Sequence, residues 1–203
     1  MVRRSTSFHM PWMNALVDLI HTDILAGEIG AAESRWRNLW GDVVATPAWE
    51  QWLLAGRMAA LRSQIALASE GPEGAMEWAE KAIAMARRVR RVKYEAVARG
   101  ILGKSLLAMG REQDALGQLR AAMGGADALG NPFGRWRARA DLAGALDAVR
   151  DDEGAALAFR EAAGIIREMA AGLARPRAER FTSAPPVAEV LRAAGADGSS
   201  PLA

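Results

Sequence analysis

The sequence predicts an all-α fold, a solenoid of about four antiparallel helix pairs. Three observations predict it: a packing pattern that returns every 40 residues, turn residues between the apolar stretches, and a helix-favouring composition. Ala, Arg and Leu lead the 203 residues, and β-branched runs are few. A chain of this length can bury roughly 70% of its unfolded surface, enough for one large domain or a short repeat array.

The repeat is clearest in the third unit. Leu102-Gly103 and Leu106 are followed by Gly110 at a turn, then by Ala115, Leu119 and Ala122. Forty residues on, the pattern returns as Leu142-Ala143, Leu146, Ala155, Phe159 and Ala162. Forty residues back, its second half returns as Ala75, Ala79 and Ala82, with Trp78 beside the large position. A looser copy opens the chain at Leu19-Ile20, Gly27, Ala32, Trp36 and Leu39. The small residues let two antiparallel helices approach closely, and the large one fills the gap to the next pair. One pair cannot bury its apolar face, so the units must stack.

Taken in order, the helices are expected at about 13–26 and 30–41, 48–69 and 72–90, 92–109 and 112–124, and 132–149 and 152–171. Turn signals within pairs are Gly27–Gly30, Gly71-Pro72, Gly110-Arg111 and Arg150–Asp152. Joins between pairs fall at Gly41–Pro47, near Arg91, and at Gly124–Pro132. Pro47, Pro72 and Pro132 suit the first turn of a following helix, where the missing N–H is not needed. Residues 1–12 are read as an N-terminal extension, 13–171 as the array, 172–194 as a C-terminal capping segment and 195–203 as a disordered tail.

These positions resemble the tetratricopeptide repeat (TPR), with Leu-Gly, Leu, Gly, Ala, a large residue and Ala at the same offsets. The resemblance spans Met13 to Ala171 and is best in the last two units; the family's first Trp is matched only by Trp136, and its closing Pro is absent. It implies a right-handed solenoid with the first helix of each pair on the concave side. The 40-residue period is similar to the longer-helix arrays that follow the NTPase module in large bacterial regulators, such as maltose-activator-like transcription factors and cyclase-associated ATPases. The tail Arg177–Ala196 is similar to the closing segment of those arrays, and only the array part is expected here.

Gly103-Lys104-Ser105 spells the end of a P-loop, but the residue five before Gly103 is Ala98 rather than Gly, and the flanking residues continue a helix. GKS is therefore read as helix packing. The basic run Arg87–Lys93 reads as a helix C-terminus rather than a nucleic-acid site: cations favour that end of the dipole, acids nearly balance the chain, and no interleaved aromatics offer base stacking. Lysine occurs only at Lys81, Lys93 and Lys104, the other 23 of the 26 basic residues are Arg, and the net charge is only +2. The absence of Cys excludes disulfides, thiolate metal sites and a Cys nucleophile. His9 and His21, the only histidines, have no nearby ligand pair, and Asp151-Asp152-Glu153 reads as a solvated helix start. No residue set calls for a metal, a cofactor or a catalytic mechanism. With no apolar stretch of 18 or more residues and a poor signal-peptide N-terminus, no membrane partner and a cytoplasmic location are expected.

Seven Trp residues are many for this length. Trp36/Trp40 and Trp49/Trp52 stand at helical spacings that suit core filling; groove lining, an end face or a homodimer through the Trp-rich N-terminal end are the other readings. Under the TPR register, the inward-pointing positions are Asn14, Val17 and His21 in unit one and Arg57, Ala60 and Gln64 in unit two. They continue as Val97, Gly100 and Lys104 in unit three and Arg137, Ala140 and Gly144 in unit four. The implied groove carries a cationic line through Arg57, Lys104 and Arg137, suited to a protein or peptide partner that is acidic or bears a carboxylate. The alternative is a small-molecule or peptide-signal sensor of a bacterial transcriptional regulator. Ordinary solvated residues on a curved surface would look the same in sequence.

Overall fold

The computed structural model describes residues 9–45 and 48–196, with side chains from 11–45 and 52–195. Ten helices and no strand occur among the described residues. Eight form four successive pairs: α1 (His9–Leu25) with α2 (Ile29–Ala45), α3 (Ala48–Ser69) with α4 (Pro72–Arg88), α5 (Val92–Ala108) with α6 (Glu112–Leu129), and α7 (Pro132–Ala148) with α8 (Asp152–Ala171). Each pair packs on the next, α2 on α3, α4 on α5 and α6 on α7. The result is the all-α solenoid the repeats predict. Two shorter helices follow, α9 (Arg175–Ser183) and α10 (Pro185–Ala196). Val187, Val190 and Ala194 of α10 are buried, and the helix lies against α8 over a cluster containing Trp136, Ile165 and Ile166.

The second helix of the third pair departs from expectation. The join at Gly124–Pro132 was expected to be a linker, but α6 runs through Gly124-Gly125 to Leu129 and ends on Gly130 at φ 67°. Gly124 is exposed in mid-helix, and the space where a Cβ on Gly125 would sit is met 3.0 Å away by Ala96 of α5, so this glycine serves helix packing. The Asn131 side chain then accepts from the Gly134 N–H at 3.2 Å and Pro132 takes the first turn of α7.

The turns within pairs repeat one geometry. After α5, Gly110 sits at φ 73°, with Arg111 N–H donating to Leu106 O at 2.9 Å and Gly110 N–H to Leu107 O at 3.0 Å. One repeat later Arg150 occupies the same place at φ 65°, with Asp151 N–H donating to Leu146 O at 2.9 Å. The left-handed residue lets the chain reverse while satisfying carbonyls that the helix end leaves open.

Small residues set the spacing inside the pairs. Ser63, Gly103 and Ala143, one repeat apart, are all buried. A Cβ on Gly103 would lie 2.6 Å from Leu119 Cγ and 3.1 Å from the Ala115 carbonyl oxygen, so α5 and α6 meet here with no room for a side chain. Gly103-Lys104-Ser105 is thus mid-helix: the Ser105 hydroxyl donates to Ile101 O at 3.0 Å and no phosphate loop exists.

In the Trp-rich half, Trp36, Trp40 and Trp78 pack as one cluster, whereas Trp12 and Trp52 are exposed. Trp36, 5% exposed, donates its Nε1–H to Met58 O at 2.8 Å, tying α2 to α3. It stacks on Trp40 at 5.1 Å and meets Trp78 of α4 edge-on at 5.3 Å. Arg62, ion-paired with Glu70, covers Trp36 and Trp78 at 5.6 and 5.8 Å. Trp52 is different: it is 48% exposed and carries Arg91 over its ring at 4.9 Å. The side chain of Trp49 lies outside the described residues.

Candidate functional site

The first helices of all four pairs contribute to one cavity of about 650 Å³. His21 comes from α1, Gln64 from α3, Lys93 and Lys104 from α5, and Arg137 and Asp141 from α7. The curl of the array therefore brings residues from its two ends to one place. The floor is apolar and made mostly of small side chains: Ala122 and Ala126 of α6, Ala96 and Gly100 of α5, and Gly134 and Ala138 of α7. Leu119, Leu129, Ile101 and Phe133 complete it. Small residues on α5, α6 and α7 are what open this hollow between the third and fourth pairs.

Charge in the cavity is uneven. Lys104 Nζ pairs with Asp141 Oδ1 at 3.2 Å, bridging α5 and α7. Lys93 and Arg137 have no carboxylate partner among the described residues; their neighbours are aromatic rings, Tyr94 at 5.8 Å for Lys93, and Phe133 at 5.5 Å and Trp136 at 5.9 Å for Arg137. Elsewhere the partly buried arginines Arg57, Arg62, Arg99 and Arg139 each hold a carboxylate. Arg139 joins Asp127 at 2.8 Å and Glu161 at 2.8 Å, and the hydrogen bonds from Arg139 and then Arg135 hold the Asp127 carboxyl below its ordinary value.

His21 reports the same imbalance. Burial first, then the charges of Arg137 and Arg57, push its imidazole below the ordinary histidine value; Lys93 adds to this and Asp18 opposes it. At neutral pH the ring is uncharged, a hydrogen-bonding group among cations.

Of the residues singled out in the sequence, His21, Gln64, Lys104 and Arg137 line the cavity together. Asn14 and Arg57 do not line it, and Arg57 is ion-paired with Asp18. The cationic line is thus partly neutralised, by Asp18 at Arg57 and by Asp141 at Lys104. Val17 and Ala60, expected to point inward, are buried in the core. Lys93 was missed. It belongs to the stripe Lys93, Val97, Gly100, Lys104 on α5, all of which line the cavity, so continuing the register one turn towards the helix start finds it. No hydroxyl or thiol side chain lines the cavity.

The fold has solved counterparts. The chain is similar to BtubC (BKLC) from P. vanneervenii, with a TM-score of 0.64 at 15% identity over 94% of this chain and 82% of that one. It is also similar to a Podosopora anserina chain described as a kinesin light chain with nearly identical TPR-like repeats, with a TM-score of 0.54 at 15% identity over 95% of this chain and 99% of that one. A point variant of the latter matches with a TM-score of 0.53, again at 15% identity, over 94% and 97%. No protein-family model matches the sequence, and no curated protein matches it either. At this identity the likeness defines the class by fold alone: a TPR-like helical array. Among the described residues no helix is long and apolar enough to cross a membrane.

Proposed function

We propose that the chain is a non-enzymatic TPR-like scaffold that holds a carboxylate-bearing peptide of a partner protein in its concave cavity. One observation carries the reading: Lys93 and Arg137 line a shared hollow and neither has a carboxylate partner among the described residues. A peptide carboxylate supplies the missing charge, His21 and Gln64 offer further hydrogen bonds, and the Ala- and Leu-lined floor takes an apolar side chain.

The volume of about 650 Å³ favours a second reading, because it lies in the range of small-molecule pockets. A small anionic signal would use the same cations, as expected of a sensor arm in a larger bacterial regulator. Titration of the isotope-labelled protein with an acidic peptide (Gly-Asp-Glu-Glu-Gly) and with succinate tests both. The expected result is peptide-induced shifts at Lys93, Lys104 and Arg137, weakened at least about tenfold in the Lys93→Gln/Arg137→Gln variant. Shifts with succinate alone favour the small-molecule reading, and no shift at these residues with either probe refutes both.

A further inference from the structure

A second hollow of about 370 Å³ lies on the other side of α7, under α10. It shares two residues with the main cavity, Arg137 and Asp141. They stand four residues apart on one face of α7, so the two hollows are compartments of one groove divided by that ridge. Their chemistry differs. The main cavity holds Lys93 and Arg137 without carboxylate partners. The second is walled by Trp136, Phe159, Pro186 and Val190, and its outer rim is Glu189 of α10, which makes no ion pair among the described residues. Arg137 and Asp141 also line it, but Asp141 is paired with Lys104, so Glu189 is its one lining carboxylate without an ion pair among the described residues.

We infer that this second compartment binds a basic side chain, Arg or Lys, of the same partner peptide whose carboxylate enters the main cavity. The inference rests on the peptide-binding reading above. The aliphatic stem of such a side chain lies against Pro186 and Val190, its cationic head reaches Glu189, and the Phe159 ring adds attraction for a cation. The ridge fixes the spacing. A helix with its side chains is about 10 Å across and an extended chain advances about 3.3 Å per residue. The basic residue therefore lies about three residues from the carboxylate.

Trp136 supplies an independent signature. It is 3% exposed and its Nε1–H has no hydrogen-bond partner among the described residues, unlike that of Trp36. The Trp136 ring is part of the wall of the second compartment, so its indole signal reports on what enters there.

The test is a nitrogen–proton correlation titration of the whole chain with two blocked peptides, Gly-Arg-Ala-Ala-Glu-Gly and the same peptide with norleucine for Arg. The Trp136 indole signal is assigned through a Trp136→Phe variant. The expected result is about tenfold tighter binding of the Arg peptide, a shifted Trp136 indole signal, and loss of the preference in Glu189→Gln, whose exposed side chain leaves folding intact. Equal binding of both peptides, or a preference that survives Glu189→Gln, overturns this inference and leaves the carboxylate reading standing. If neither peptide moves a cavity signal at millimolar concentration, the carboxylate reading itself falls.

Discussion

Replacing Gly103 by Ala tests whether the α5–α6 approach is set by a missing side chain. In an open helix the change stabilises, by about 1 kcal/mol, because Gly is the poorer helix former. Gly117 of α6 and Gly144 of α7 are such open positions, with nothing within 4 Å of an added Cβ. At Gly103 the new Cβ meets Leu119 Cγ at 2.6 Å and Cδ2 at 2.9 Å, where carbon atoms prefer about 3.5 Å or more. Leu119 is fully buried, and the Ala115 carbonyl oxygen at 3.1 Å blocks retreat along the backbone. Overpacking of this kind costs about 1–3 kcal/mol, so with the same propensity gain of about 1 kcal/mol in both, Gly103→Ala falls about 1–3 kcal/mol below Gly144→Ala. Urea unfolding reads this directly, followed by far-ultraviolet circular dichroism and Trp fluorescence together, because repeat arrays can unfold unit by unit. Adding Leu119→Ala to Gly103→Ala should cost at least about 1 kcal/mol less than the two single losses combined. A Gly103→Ala protein as stable as Gly144→Ala would refute the reasoning.

Three further outcomes follow from the same geometry. Arg150→Gly should raise stability by about 0.5–1 kcal/mol in urea unfolding, since the exposed Arg150 holds φ 65° where the preceding repeat has Gly110. Lys93→Gln should weaken binding of the acidic peptide more than Lys104→Gln does, because Lys104 already holds Asp141; calorimetry in low and high salt should show the loss concentrated at low salt. His21, held below its unfolded pKa, binds fewer protons in the folded state around pH 6, so its contribution to stability is present above its unfolded pKa and lost as pH falls through the folded one. An anion in the cavity raises that pKa, so binding below pH 7 should take up protons and tighten as pH falls; titration calorimetry in buffers of different ionisation enthalpy, repeated with His21→Gln, checks it.

The fold was legible because each repeat writes its own packing into short-range pattern. Ser63, Gly103 and Ala143 stand at one repeat position and all three are buried; Trp36 was expected to fill the space to the next pair and bonds to α3. Such signals depend on neighbours within about one repeat, which is the range over which solenoid contacts act. The reading failed at Gly124-Gly125, where two glycines were taken for a linker. There Gly125 leaves room for Ala96 on the preceding helix, and the sequence alone does not say whether a glycine bends the chain or admits a neighbour.

The site was less legible because it depends on curvature and on pairing, neither of which is local. A side chain's place in the repeat register tells which helix face it occupies. It does not tell that His21 and Arg137, from the first and last pairs, meet at one cavity, because that follows from small rotations accumulated over four units. Pairing is equally distant. Arg57 finds Asp18 on α1 and Lys104 finds Asp141 on α7, each across a repeat boundary. Lys93, dismissed as part of a basic helix end, finds no carboxylate and becomes a principal cation of the cavity. In a nearly neutral chain, then, the count of charges constrains the site little. What defines it is which cations the fold leaves without partners, and among the described residues Lys93 and Arg137 are left so at a hollow that all four repeats reach.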